Sequence, residues 1–265
     1  MKKIILTAIF LVICLSTVSY AEEKNESKDQ MDIPNSVMDI SKDNTYPNPT
    51  DDLPRLQPSE LAQELIESSE VKIENPDLIL QLNESSITTS PVAIGYRATI
   101  YLGHWALRYD SNETATNWEY KKINTNFTDN RGAKTQSQMH YTQKKQEKVT
   151  GGLTAKVPYE EDVKKMMLQR AMEKTELPLS FETVIGTGTK KDQVYNVPVK
   201  KVGYLYGYAP AVNEKGKVTY GEVYLRLKGS KKEVIVKNVT QQGIGAWIPI
   251  QDHVSFGFVT SDQPK

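Results

Sequence analysis

The side chains best placed to do chemistry in this sequence are aromatic. Tyr204, Tyr206, Tyr208, Tyr220 and Tyr224 fall at even positions close to Arg226. Period two is strand spacing, so such rings would share one face of a sheet. Phenol rings on a rigid strand offer flat apolar area with a polar tip at little entropic cost, which suits recognition of a sugar or a peptide. The plainer alternative is that they are ordinary strand residues packed beneath a helix or loop.

Other chemistry finds less support. His104, His140 and His253 are far apart, and no HExxH pair or clustered His/Asp set is present, so no metal site is expected. His104, between Gly103 and Trp105, reads as a polar residue at a strand end. There is no G-x-S-x-G elbow and no S-x-x-K with a supporting Lys-Thr-Gly, although a dispersed Ser-His-Asp triad stays open. Gly186-Thr187-Gly188-Thr189-Lys190 has β-patterned sequence on both sides, whereas a phosphate-binding loop must open a helix. Gly243-Ile244-Gly245 lacks the third glycine and following helix of a dinucleotide fingerprint, and no cofactor is expected. Glu160 and Glu161 read as helix-start acids rather than a catalytic pair.

The 265 residues carry 33 Lys and Arg against 33 Asp and Glu, without the basic excess of a nucleic-acid binder. Residues 1–21 have the form of an export signal: Lys2 and Lys3, an apolar run over 4–15, then Ser19-Tyr20-Ala21 at a cleavage site. Cleavage after Ala21 removes Cys14, the one cysteine, and leaves no disulfide or thiol nucleophile. Retention of the segment as an N-terminal membrane anchor is the alternative. Residues 22–57, punctuated by Pro34, Pro47, Pro49 and Pro54, read as an extended or disordered spacer, and 58–265 as a single domain.

The expected class is α+β, mainly antiparallel sheet with a meander in the C-terminal half and helices on one face. Pro58-Ser59-Glu60 and Asn75-Pro76-Asp77 are start signals for two short N-terminal helices. A longer amphipathic helix is expected near 159–175, with Val163, Met166, Met167 and Ala171 on its buried face. Val92, Ile94, Tyr96, Ala98, Ile100 and Leu102 alternate as the apolar face of a strand, and 117–126 suggests another. Residues 134–150 read as an exposed edge hairpin, and Thr189-Lys190-Lys191-Asp192 as a turn.

Loop lengths then predict a register. A three-residue loop at Asn213 to Gly216 would place Tyr208 opposite Glu222, Tyr206 opposite Tyr224, Tyr204 opposite Arg226 and Leu205 opposite Leu225. A two-residue Gly229-Ser230 loop places Arg226 opposite Glu233, Glu222 opposite Lys237, Leu225 opposite Val234 and Val223 opposite Val236. Together they predict a Leu/Val/Gly core face and a wet face of Tyr204, Tyr206, Tyr208, Tyr220, Tyr224 and Arg226, the candidate ligand-binding surface.

Ala93-Ile94-Gly95-Tyr96-Arg97, Asn117-Trp118-Glu119-Tyr120, Gly203-Tyr204-Leu205-Tyr206-Gly207-Tyr208-Ala209-Pro210 and Gly243-Ile244-Gly245-Ala246-Trp247-Ile248-Pro249 resemble segments of the YfkD-like family of exported proteins from Bacillus and its relatives. The resemblance runs from about residue 44 onward. It implies export from a Gram-positive cell and supplies no active site. The expected protein is therefore an exported cell-envelope component, a non-catalytic binding or structural module for wall glycan or another envelope protein. An extracytoplasmic hydrolase with a dispersed acid/base site, or an assembly or stability factor for a membrane complex, are the alternatives.

Overall fold

Whether the chain turns back at Asn213 decides the architecture, and in the computed structural model it does not. The structure describes residues 33–40, 57–85 and 95–265. The segment read as an export signal, most of that read as spacer and the stretch holding Val92 and Ile94 lie outside these.

In chain order the elements are β1 (Val37–Asp39), α1 (Glu60–Glu67), α2 (Pro76–Glu84), β2 (Arg97–Asp129), β3 (Ser137–Thr142), β4 (Glu147–Thr150), β5 (Gly152–Leu153), α3 (Glu160–Thr175), β6 (Glu182–Ile185), β7 (Lys190–Val197), β8 (Val202–Lys228), β9 (Lys231–Pro249) and β10 (His253–Ser261). The described residues are mostly antiparallel sheet with three helices. β8 is one strand of 27 residues and passes straight through the predicted turn. Gly216 serves close packing instead of a bend: a Cβ there would lie 2.5 Å from the Tyr109 hydroxyl oxygen. Asn213 pairs with Ala115 on one side and Trp247 on the other, so the predicted pairings of Tyr204 with Arg226, Tyr206 with Tyr224 and Tyr208 with Glu222 do not exist.

The Gly229-Ser230 loop is present. Gly229 takes φ 61°, and Arg226–Glu233, Glu222–Lys237, Leu225–Val234 and Val223–Val236 are partners as the loop length predicts. The C-terminal half is thus a hairpin extended by a third strand rather than the expected meander. β9 flanks residues 211–228 of β8, and after the break at 250–252 β10 continues along the same edge of β8, over 202–208. β2 flanks the whole of the other edge. β1, inside the segment read as spacer, adds to β10, and Val37 and Ile40 are buried there.

β2 uses 33 residues to face the 27 of β8, and bulges absorb the difference of six. The largest faces Pro210. Proline has no N–H to donate to a ladder, and between the pairs Asn117–Ala211 and Lys121–Ala209 three residues of β2 swing past it. This excursion carries Trp118 and Tyr120, and the Tyr120 ring stacks on Trp247 with centroids 5.0 Å apart. Bulges also twist a long edge away from foreign strands.

Side-chain parity along β8 divides three cores. Leu205 and Ala209 pack beneath the small β3–β7 and β4–β6 sheets with Met139, Tyr141, Val149, Ile185 and Val197. Farther along the same odd-numbered face, Val223 and Leu225 meet Ala62, Leu65, Leu78 and Leu82 of α1 and α2. The even-numbered face carries Val212, Val218 and Tyr220 under Val163, Met166, Met167 and Ala171 of α3. Helices therefore cover both faces, against the one expected. Each starts near its predicted residue: Ser59 caps α1 through Ala62 N, and Asn75 Oδ1 accepts from Asp77 N and Leu78 N of α2.

Other expectations change. Tyr96 and Ile100, assigned to an apolar face, are 56% and 45% exposed, and among the described members of that set Leu102 alone packs against the core beneath α1 and α2, Tyr96 preceding β2 altogether. Residues 134–150 do not form an exposed hairpin: β3 pairs with β7, β4 with β6, and Met139, Tyr141 and Val149 are buried. The turn near 189 lies earlier, over 186–189, where Gly188 takes φ 85° and Thr189 already leads into β7.

The alternation Gly203-Tyr204-Leu205-Tyr206-Gly207-Tyr208 has a packing cause. A Cβ on Gly203 would strike Val197, and one on Gly207 would lie 2.6 Å from the Tyr141 ring. Both glycines let the β3–β7 sheet settle onto β8. Gly203→Ala and Gly207→Ala should each lower unfolding free energy by about 1–3 kcal/mol. Gly243→Ala, where the nearest atom to a Cβ would be 4.0 Å away, should change it little; urea midpoints compare the three.

Candidate functional site

Continuity of β8 keeps the predicted tyrosines on one face but pulls them apart. Tyr204 and Tyr224 are separated by roughly 65 Å of strand if it ran straight. Two aromatic clusters result, with a buried ring between them.

The first lies where β2, β8 and β10 run together. Tyr204 and Tyr206 stack with centroids 6.1 Å apart and planes 11° from parallel; Tyr208 follows at 6.3 Å. Phe127 of β2 extends the row, 5.1 Å from Tyr204 and 47% exposed. On the other side Gly257 is the partner of Tyr206, and with no side chain there the Tyr206 and Tyr208 rings lean over its backbone. Lys122 places its ammonium 5.0 Å from the Tyr206 centroid. Tyr204, expected on the wet face, is instead buried at 8% exposure, because the Phe127 and Tyr206 rings and the Lys265 backbone pack against it; its hydroxyl accepts from Lys265 N at 2.6 Å. Tyr206 and Tyr208 are half-buried, and the Tyr208 phenol is pushed upward by burial, then by the charge of Glu119 and by Tyr206.

The second cluster centres on Glu222, which lies between His104 of β2 and Lys237 of β9. Tyr224 donates its hydroxyl to Glu222 Oε2 at 2.7 Å, and this bond with one from Asn238 holds the carboxyl below its ordinary value. Tyr101 packs 5.1 Å from Tyr224, and the Lys237 ammonium sits 5.0 Å from the Tyr224 centroid. His104 is mid-strand, not at a strand end. Its ring stacks on Tyr220 at 6.1 Å, and its Nδ1 lies 3.2 Å from the Tyr159 hydroxyl. Tyr159 caps α3 at φ 55°, and Asn238 forms a bulge at φ 51°, both left-handed conformations uncommon for residues other than glycine.

Tyr220 belongs to neither surface: it is 3% exposed beneath Pro158 and α3. Arg226 is exposed and paired with Glu233, as the hairpin register requires. Phe127, Lys122, Tyr101 and Tyr159 were missed because each reaches its cluster through long-range pairing that local patterning does not encode.

The three histidines stand on β2, β3 and β10 and share no site. Among the described residues, no group of three or more His, Cys, Asp and Glu could hold a metal ion. A hollow of 590 Å³ where the end of β1 meets β7 is lined by Asp39, Ile40, Lys190, Lys191 and Asp192, a balanced set of charges. The fully buried Glu214 accepts from Tyr109 at 2.9 Å and from Thr114 at 2.6 Å and is structural, tying β8 to β2.

Fold and surfaces together define a sheet-built protein with aromatic clusters at two distant places on one long strand. A family model described as YfkD-like protein matches residues 34–265. A protein of Bacillus subtilis (strain 168) described as "Uncharacterized protein YfkD" is 64% identical over 255 residues, 96% of this chain and 97% of that protein. No solved structure matches. The chain belongs to the YfkD-like family.

Tyr109 and Tyr141 are buried, and burial is the main cause raising both phenols above the ordinary 10.0. A raised folded-state value means their contribution is fully present below pH 10.0 and is lost as pH rises through the folded values. Stability should therefore fall above about pH 10. In an alkaline absorbance titration these two phenols should ionise only with unfolding.

Proposed function

We propose that this protein is an exported, non-catalytic binding module of the cell envelope, and that it holds a glycan chain on the Phe127, Tyr206 and Tyr208 rings, with the buried Tyr204 ring bracing Tyr206 from behind. The observation that carries the reading is the near-parallel stack of Tyr204 and Tyr206 on a strand fixed along both edges. A pyranose ring has an apolar C–H face that lies flat on a phenol, while its hydroxyls reach the Tyr tips and Lys122. The rings are set before the ligand arrives, so little rotamer entropy is lost on binding. Successive rings along β8 suit a polymer better than a single sugar. The leader pattern of residues 1–21 supports export, and no described helix is long and apolar enough to cross a membrane.

Retention of the full chain on purified wall polysaccharide tests the binding. Tyr206→Ala and Tyr208→Ala should each weaken retention about tenfold, as loss of a central aromatic anchor does. Tyr101→Ala, in the far cluster, should leave it unchanged. Equal retention of all three variants would remove the strip from consideration. Export is tested separately by mass spectrometry of the protein from its own cells, where cleavage should leave Glu22 as the first residue.

A further inference from the structure

The Glu222 cluster lies far from the glycan strip and has a different chemistry. An ionised carboxylate is surrounded by aromatic rings: Tyr224, hydrogen-bonded to it at 2.7 Å; Tyr101 beside Tyr224; and His104 opposite, backed by Tyr159. Tyr101 and Tyr159 are 55% and 42% exposed, so the basin is open to solvent. Aromatic faces and a fixed negative charge favour a weakly hydrated cation. The protein already places a cation there, since the ammonium of Lys237 stands over the Tyr224 ring at 5.0 Å.

We infer that the Tyr101–Tyr224–Glu222 basin is a recognition site for an alkylammonium group, and that Lys237 is its tethered internal occupant. Lys237 is exposed and sits on a flexible four-carbon stem, so its head group can swing away without disturbing β9. A tethered occupant competes at an effective concentration in the millimolar range, which weakens apparent affinity for an external amine. The orientation of the carboxylate does not depend on Lys237, because Tyr224 and Asn238 hydrogen-bond Glu222 directly. The His104 ring and the Lys237 ammonium flank Glu222 from β2 and β9; Arg226 is engaged by Glu233. The site does not depend on the glycan reading, and the two can fail separately.

The test uses the full chain with ring-labelled tyrosine, titrated by NMR with tetramethylammonium, n-butylammonium and the neutral isostere 2,2-dimethyl-1-propanol. Both ammonium ions should shift the Tyr101 and Tyr224 signals saturably, leave Tyr206 unmoved, and exceed the alcohol. Lys237→Met should bind about tenfold tighter than the parent once the internal competitor is gone. Glu222→Gln and Tyr224→Leu should lose the response. An equal response to the alcohol, binding by Lys237→Met no tighter than the parent, or full retention in Glu222→Gln would overturn the assignment.

Discussion

The hydrogen-bond ladder on both edges of β8 is the constraint from which the rest of the molecule follows. A strand paired along its whole length cannot slip by one residue without exchanging its faces. Odd positions of β8 therefore supply Leu205, Ala209, Val223 and Leu225 to two cores, while even positions supply Val212, Val218 and Tyr220 to a third. No single cover is large enough for a strand of 27 residues. The chain covers it in sections, with small sheets at one end, α1 and α2 at the other, and α3 on the reverse face. Even-numbered side chains beyond the reach of α3, among them Tyr206, Tyr208, Glu222 and Tyr224, are left partly exposed and build the two aromatic clusters.

Departures from regular pairing are concentrated in the flanking strands. Pro210 removes a donor in the middle of the sheet, and β2 answers with the excursion that carries Trp118 and Tyr120. Tyr120 then stacks on Trp247. A single missing N–H thus links three of the sequence segments that resemble the YfkD-like family. The short residues of those segments have a similar role: Gly203 and Gly207 admit a second sheet onto β8, and Pro249 stands where a Cβ on Gly151 would strike it, 2.6 Å away.

The legible parts of the sequence were those with local causes. Capping at Ser59 and Asn75, the Met166–Met167 stripe and the Gly229-Ser230 loop need only neighbours in the chain, and all four are present. Face parity also held, because positions 205 and 225 share a side whether the strand bends or runs on. The Asn213-Glu214-Lys215-Gly216 sequence failed because its turn chemistry was outweighed by tertiary pairing: Gly216 is required against Tyr109, and Glu214 is buried on the Tyr109 and Thr114 hydroxyls. That one error merged two separate clusters into one imagined patch and enrolled the buried Tyr220 in it. The bulges that bring Phe127, Lys122 and Tyr101 into place come from pairing between distant segments, which periodicity does not record.

Distance along β8 separates the straight strand from the hairpin most directly. Nitroxides at Tyr208→Cys and Glu222→Cys, in a Cys14→Ser background, can be measured by double electron–electron resonance. A continuous strand places them fourteen residue steps apart and should give a distance of about 40–50 Å. A narrow distribution below about 15 Å would mean that the chain turns back near Asn213 after all, since paired strands lie only about 5 Å apart. Both surface assignments would then fall with it.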